Sequence, residues 1–363
     1  MYKVKIFGAG SSGNHYTHAC RTKGWETVLC DIDPEALKRT RKKIYPERYG
    51  RWDEGIRLIN TNEDVESNYD IVILCTPPDT HIKLAKDILT GCSSRILLIE
   101  KPLTTPELVG CEELLGLAKK KDTFVGVAYN QVLTEKTSAS DEILQKGILG
   151  KPLTITSVYR EHWRNMNAAH PWLSKPGDYY LGFIERGGGV CNEHSHAISI
   201  WQHFSYIANM GRITEVSAML DFVNEEQAHY DVMTQINVKT EKNLIGTIVQ
   251  DIVSDPPKRF LRVQGTQGFF EWHIDWSEKK DALRYSDEQK DLQEMSFDKN
   301  RFGGIIDHLE DILNGKLKES PISLEKGLET MMVVAAAHLS HKLGRTVRID
   351  YEAGYNLDAI KTK

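Results

Sequence analysis

Short apolar runs alternate with helical periods through the first third of the chain. Residues 4–7, 26–30, 71–75, 95–99 and 123–127 read as strands, with a weaker one at 56–59. Ile71-Val72-Ile73-Leu74 is apolar at every position, which suits a parallel strand covered on both faces. Residues 34–43, 80–89 and 106–119 carry helical spacing between these strands. Alternating strand and helix requires right-handed crossovers. The pattern therefore predicts a doubly wound parallel sheet over residues 1–125.

The style changes after residue 125. A helix over 133–146 precedes longer alternating strands at 153–160, 213–222, 232–239, 243–251, 260–264 and 268–273. Consecutive strands with short turns predict a large, mostly antiparallel open sheet in a second α/β unit, residues 126–363. Helices at 305–313 and 324–343 follow, the second with Leu324, Leu328, Met331, Ala335 and Leu339 on one face and Gly344 at its end. The polar stretch 277–300 reads as a surface excursion.

Composition narrows the class. A chain of 363 residues with 40% hydrophobic and 27% charged residues is ordinary for a globular protein of two or three domains. This excludes a disordered chain, a collagen-like fibre and a coiled coil. Forty-six basic against 51 acidic residues give a net charge of −5, without the basic footprint of a nucleic-acid or membrane-surface binder. No apolar run is long enough to span a bilayer. Met1 leads straight into a strand pattern with no leader, so a soluble cytoplasmic protein is expected. Cys20, Cys30, Cys75, Cys92, Cys111 and Cys191 show no C-x-x-C spacing and read as thiols in a reducing compartment.

Four segments carry chemistry. Gly8-Ala9-Gly10-Ser11-Ser12-Gly13 is a G-x-G-x-x-G between a strand and a helix, with Asp31 ending the next strand. Gly8 permits the turn, Gly10 lets backbone approach a diphosphate, and Gly13 allows close helix packing. The helix start at Ser11 and Ser12 offers free N–H groups to an anion. Asp31 suits ribose hydroxyls and repels a 2′-phosphate, so NAD is favoured over NADP. Thr76-Pro77-Pro78, with His81 beyond it, ends one strand, and Glu100-Lys101-Pro102 ends the next. Both lie where open α/β sheets collect ligands. Arg186-Gly187-Gly188-Gly189-Val190-Cys191-Asn192-Glu193-His194-Ser195-His196 is the densest reactive cluster. One of its histidines can face the cleft as an acid or base near neutrality. Cys191, Glu193, His194 and His196 could ligate a metal, but no second ligand set accompanies them and none is expected. Tyr159, Arg160, His162, Trp163, Arg164, His170 and Trp172 are candidates for substrate contact, through aromatic faces for sugar rings and guanidinium groups for anions.

In order and combination these motifs resemble the Gfo/Idh/MocA oxidoreductases, relatives of glucose–fructose oxidoreductase and inositol dehydrogenase. The resemblance covers nearly the whole chain and includes Glu325-Lys326-Gly327-Leu328. It implies a Rossmann NAD-binding domain and a C-terminal substrate-binding domain whose open sheet makes a homodimer or homotetramer. It also implies hydride transfer between nicotinamide and a hydroxyl or keto carbon of a sugar, cyclitol or nucleotide sugar. Lys101 matches the family's active-site lysine, His196 its acid/base histidine and Glu193 its intermediate acid, with Asn192 a rival for that place. The implied cofactor site comprises Gly8, Gly10, Ser11, Ser12, Gly13, Asp31, Thr76, Pro77, His81, Glu100 and Lys101. The expected substrate site comprises Lys101, Arg160, Trp163, Arg164, Asn192 and His196. Ser199 and Asn130 stand where many members carry Asp and Arg. Two alternatives remain: an NAD-dependent glycoside hydrolase acting by transient oxidation, and a non-catalytic NAD-sensing protein on the same scaffold.

Overall fold

A computed structural model of the chain describes residues 1–61, 67–168, 170, 172–225, 227–289, 291–317 and 319–363. The first layer runs β1 (Lys3–Phe7), α1 (Ser11–Thr22), β2 (Glu26–Asp31), α2 (Pro34–Arg39), α3 (Tyr45–Tyr49), β3 (Ile56–Asn60), β4 (Asn68–Leu74), α4 (Pro78–Gly91), β5 (Ser93–Ile99), α5 (Cys111–Ala118) and β6 (Phe124–Val127). Its strands order β3-β2-β1-β4-β5-β6, all parallel. Ile71 to Leu74 of β4 are fully buried, as their unbroken apolar run requires. The order reverses between β1 and β4, and ligands of such sheets bind outside the carboxyl ends at that point.

Two helices differ from expectation. The helix expected at 34–43 ends at Arg39 and passes through a wide turn, Thr40–Ile44, into α3. Thr40 turns its hydroxyl onto the glycine loop, 3.2 Å from the Ala9 carbonyl. The helix expected from 106 starts at Cys111, because Gly110 is left-handed at φ 77°.

The second layer comprises α6 (Glu135–Gln145), β7 (Pro152–His162), α7 (Trp163–Ala168), α8 (Val190–Glu193), α9 (His196–Ile207), β8 (Ile213–Glu225), β9 (Ala228–Thr240), β10 (Ile245–Asp251), β11 (Val253–Gly265), β12 (Phe269–Ile274), β13 (Lys280–Ser286), β14 (Gln293–Asp298), α10 (Arg301–Leu313), α11 (Leu324–Leu343), β15 (Val347–Ile349) and β16 (Ile360–Thr362). Its ten strands order β14-β13-β12-β11-β7-β10-β9-β8-β15-β16. β7 and β10 run parallel, and the other described pairings are antiparallel.

The polar stretch 277–300 is not an excursion: it holds the edge hairpin β13–β14. An outermost strand has water on most sides, so its alternation hides under polar side chains. β13 still buries Ala282 and Leu283, and Asp281 meets Lys136 Nζ at 2.8 Å.

The C-terminal helices return to the first layer. α10 buries Ile305, Ile306, Leu309 and Leu313, and Lys23 of the α1 side pairs with Asp307 at 2.6 Å and Glu310 at 2.8 Å. α11 lies on β8 and β6; a Cβ at its Gly327 would stand 2.2 Å from Val127. All six cysteines are free thiols. Among the described residues no helix is long and apolar enough to cross a membrane.

Candidate active site

The glycine turn is built for an anion. Gly8 adopts φ 99°, and a Cβ there would sit 2.4 Å from the Cys75 carbonyl. A Cβ on Gly13 would lie 1.9 Å from the Gly8 carbonyl, whereas one on Gly10 would meet nothing within 4 Å. Two glycines are thus demanded by the protein's own packing, and the third keeps an approach open. α1 starts at Ser11 with no side chain capping it, so its first N–H groups stay available. Arg48 donates to Ser11 at its carbonyl (3.2 Å) and hydroxyl (3.0 Å), which adds positive charge beside that end. Asp31 accepts from Ala9 N at 2.7 Å and Asp33 N at 2.9 Å. Each carboxylate oxygen keeps a lone pair for a ribose hydroxyl. These features fit a dinucleotide.

The loops ending β4 and β5 form the neighbouring wall. Thr76 bonds Thr80 between hydroxyls at 2.7 Å, and Pro77 and Pro78 open α4. His81, expected at the cofactor, is fully buried instead. Its ring nitrogens lie 2.7 Å from the Thr76 carbonyl and 3.1 Å from the Pro102 carbonyl. It ties the two loops together and has no face left for a ligand. Glu100 is buried, and one oxygen accepts from Lys101 N at 3.0 Å. Burial pushes its carboxyl up to about 7, against the pull of Lys101.

The glycine-rich segment crosses to meet this wall. Gly189 takes φ 82°, and a Cβ there would strike Asp231, whose carboxylate accepts from Cys191 N at 2.7 Å. This buried carboxylate, which the sequence did not single out, fixes the start of α8. At the other end of α8, Glu193 Oε1 accepts from Lys101 Nζ at 2.8 Å, and the Glu193 carbonyl accepts from the same ammonium at 3.1 Å. Tyr180 donates to Glu193 Oε2 at 2.9 Å. Burial works against the ionised Glu193. The Lys101 charge, its hydrogen bond and Tyr180 outweigh that and hold the carboxyl at about 2.

His196 opens α9 with its ring edge-on to Tyr129, centroids 5.7 Å apart. Its Nδ1 is buried without a protein partner. Burial first, then the Lys101 charge, pull its pKa well below the usual 6.5. Lys101, Glu193 and His196 all line one cavity of about 200 Å³, together with Ser12 from the glycine turn.

Other walls of that cavity come mostly from residues the sequence did not single out, with Tyr159, Asn130 and His194 among the exceptions. Glu161, Arg259 and Arg301 line it, as do Asn130, Gln131, Tyr159 and Phe302. Asn130 Oδ1, Gln131 Oε1 and Tyr159 OH are buried there without a hydrogen-bond partner, as is His194 Nε2, which lies 3.7 Å from Glu161 Oε1. Buried polar atoms are normally paired, so such a convergence marks space for a hydrogen-bonding ligand.

Arg160, Trp163, Arg164 and Asn192 do not join this lining. Side chains alternate along β7, with Ile155, Ser157, Tyr159 and Glu161 buried and the intervening residues on the opposite face. Arg160 therefore pairs with Asp251 at 3.3 Å away from the cavity. Trp163 packs with Val190, Tyr230 and Ile252. Arg164 is exposed and folds back on His162 at 3.1 Å. Asn192 is fully buried, so Glu193 is the acid that meets Lys101. A larger cavity, about 410 Å³, lies along the later turns of α9 and includes Ser199. Four of its ionic groups pair with each other, His203 with Asp141 at 2.9 Å and Lys326 with Glu329 at 3.4 Å.

Comparison with known proteins identifies the family and the fold. Residues 2–129 match the oxidoreductase family with an NAD-binding Rossmann fold, GFO/IDH/MocA, and residues 138–271 match the GFO/IDH/MocA C-terminal domain. No curated protein matches the sequence significantly. Solved structures share the fold at low identity. An oxidoreductase from Agrobacterium radiobacter, in complex with NAD+, L-tartaric acid and magnesium, is 18% identical, with TM-score 0.74 over 96% of this chain and 98% of its own. Aldose-aldose oxidoreductase from Caulobacter crescentus, complexed with glycerol, is 18% identical, with TM-score 0.75 over 95% and 99%. The WlbA dehydrogenase from Bordetella pertussis, in complex with NADH and UDP-GlcNAcA, is 16% identical, with TM-score 0.70 over 96% and 98%.

Proposed function

Because the chain belongs to the Gfo/Idh/MocA oxidoreductase family, we propose that it interconverts a hydroxyl and a keto group on a polyhydroxylated small molecule, with NAD as redox partner. The observation that carries this reading is the meeting of Lys101, Glu193 and His196 in one cavity beside the glycine turn. Sugars, cyclitols and nucleotide sugars are the substrate class. Hydroxylated ligands in the solved relatives support that range: L-tartaric acid, glycerol and UDP-GlcNAcA.

Gly8, Gly10, Gly13, the start of α1 and Asp31 would hold the dinucleotide. Bound NAD supplies the hydride acceptor or donor, which no side chain here can replace. His196, kept neutral by burial, accepts the proton of the substrate hydroxyl and returns it in the reverse direction. Lys101 has three N–H bonds and gives two to Glu193, so one remains for the substrate oxygen as negative charge develops on it. Glu193, ionised throughout the neutral range, aims that ammonium and does not itself exchange a proton. The amide oxygens of Asn130 and Gln131 accept from further hydroxyls, as their unmet bonding capacity suggests.

The test is a screen of polyols, sugars and sugar nucleotides for a change in nicotinamide absorbance, with wild type, Lys101→Met and His196→Asn. One compound class should turn over. Lys101→Met should cost roughly 10²–10³ in kcat/KM and His196→Asn roughly 10²–10⁴. Turnover near wild type in both variants would refute the assignment.

A further inference from the structure

The cavity that holds Lys101 is also lined by an arginine whose bonding the protein leaves incomplete. Arg301, the first residue of α10, lines the cavity with its Nε buried and unpartnered. Among the described residues, its one ionic contact is Nη2 to Asp275 Oδ1, at 3.4 Å. Asp275 also serves Arg259 and, at 2.5 Å, Lys299. One carboxylate shared by three cations leaves donors unused: Arg259, which also lines the cavity, spends its own on Glu161 and Asp275, and the buried unpartnered one is on Arg301.

The cavity's own carboxylates do not make up the difference. Glu161 accepts from Arg259 at 3.1 Å, Glu193 from Lys101 at 2.8 Å, and Glu100 from Lys101 N at 3.0 Å. The planar guanidinium fork matches a planar carboxylate with two parallel hydrogen bonds, and such charge-assisted pairs are the strong ones. We propose that the substrate is a hydroxylated carboxylic acid of the aldonic or uronic type, held by its carboxylate at Arg301 while its hydroxyls meet Asn130, Gln131 and Tyr159. The inference rests on the reading of this cavity as the site of hydroxyl oxidation. It places the anion contact on α10, not on the arginines of β7 and α7.

The test compares acids with their uncharged amides, which share the carbon skeleton. D-gluconate, D-glucuronate and L-tartrate, and the amide of each, are titrated calorimetrically into the enzyme holding NADH, and then assayed for turnover with NAD. At least one acid should bind tenfold or more tighter than its amide. Arg301→Met should bring that ratio near one, and Arg301→Lys should keep part of it. The wild-type ratio needs no variant, so a misfolded substitution does not blunt the result. Equal affinity of acids and amides, equal weakening of both by Arg301→Met, no binding by any acid, or tighter binding of D-glucose 6-phosphate than of the acids would overturn the proposal. Arg301-dependent binding of an acid without any absorbance change would uphold it and refute the hydride-transfer reading. Amides oxidised as fast as acids would do the reverse.

Discussion

His196 keeps an imidazole among buried surroundings and a nearby ammonium, and both disfavour its charged form. The direction has a kinetic consequence. A base works only while unprotonated, so the acid limb of oxidation should lie well below the usual 6.5. Glu100 would blur that limb, because burial raises its carboxyl to about 7 in the same cavity. The expected outcome in Glu100→Gln is a kcat/KM that stays flat from mildly alkaline pH down past 6.5. A midpoint near 6.5 in that variant would show that His196 titrates as an ordinary surface histidine. At this scale the sequence was informative where chemistry sits in short motifs at the ends of strands and helices. Lys101, Glu193 and His196 are read from short motifs, and the fold brings them together. Arg160 was misread for want of parity, since one step along a strand changes the face. Tyr159 and Glu161, its neighbours on either side, line the cavity. Arg259 and Arg301 carried no local signal, because their approach depends on where β11 and α10 come to rest.

The turn before α1 separates two uses of glycine that a motif cannot distinguish. Gly13 faces the Gly8 carbonyl, where an added Cβ would be 1.9 Å away, while Gly10 faces open space. Gly13→Ala should lower the unfolding temperature of the apoprotein by several degrees, a loss of about 1 kcal/mol moving a chain of this size by a few degrees. Gly10→Ala has an extended backbone at φ −77°, which alanine accepts. It should leave the apoprotein's unfolding temperature unchanged and weaken NAD binding at least tenfold. Calorimetry with and without NAD measures both, and unchanged NAD affinity in Gly10→Ala would contradict the assigned approach. Among elements, the strands of the first layer were legible because buried parallel strands are apolar throughout. β13 and β14 were not, because a hairpin at a sheet edge shares its composition with a loop.

The C-terminal helices join the two sheets. α10 buries Ile305, Ile306, Leu309 and Leu313 and stacks Phe302 on His15 of α1, centroids 4.5 Å apart. Four such aliphatic side chains contribute roughly 1.5–3 kcal/mol each, a sum comparable to the whole stability of about 5–15 kcal/mol for a typical domain. A fragment of residues 1–130 should therefore lack a cooperative thermal transition, while the full chain shows one. A fragment that melts sharply on its own would show that α10 is dispensable. Periodicity marked α10 as amphipathic but could not say which surface receives it. Its spacing therefore gave no sign that Arg301 reaches the cavity.

The most direct test of the central claim follows one hydrogen. A substrate found in the screen is labelled with deuterium at the carbon bearing the reactive hydroxyl and incubated with wild-type enzyme and NAD. Mass spectrometry should find that deuterium in the reduced nicotinamide, and its transfer should collapse in His196→Asn while NAD affinity stays at the wild-type value. Deuterium retained on the substrate or lost to water, or transfer that continues undiminished without the His196 imidazole, would contradict the account.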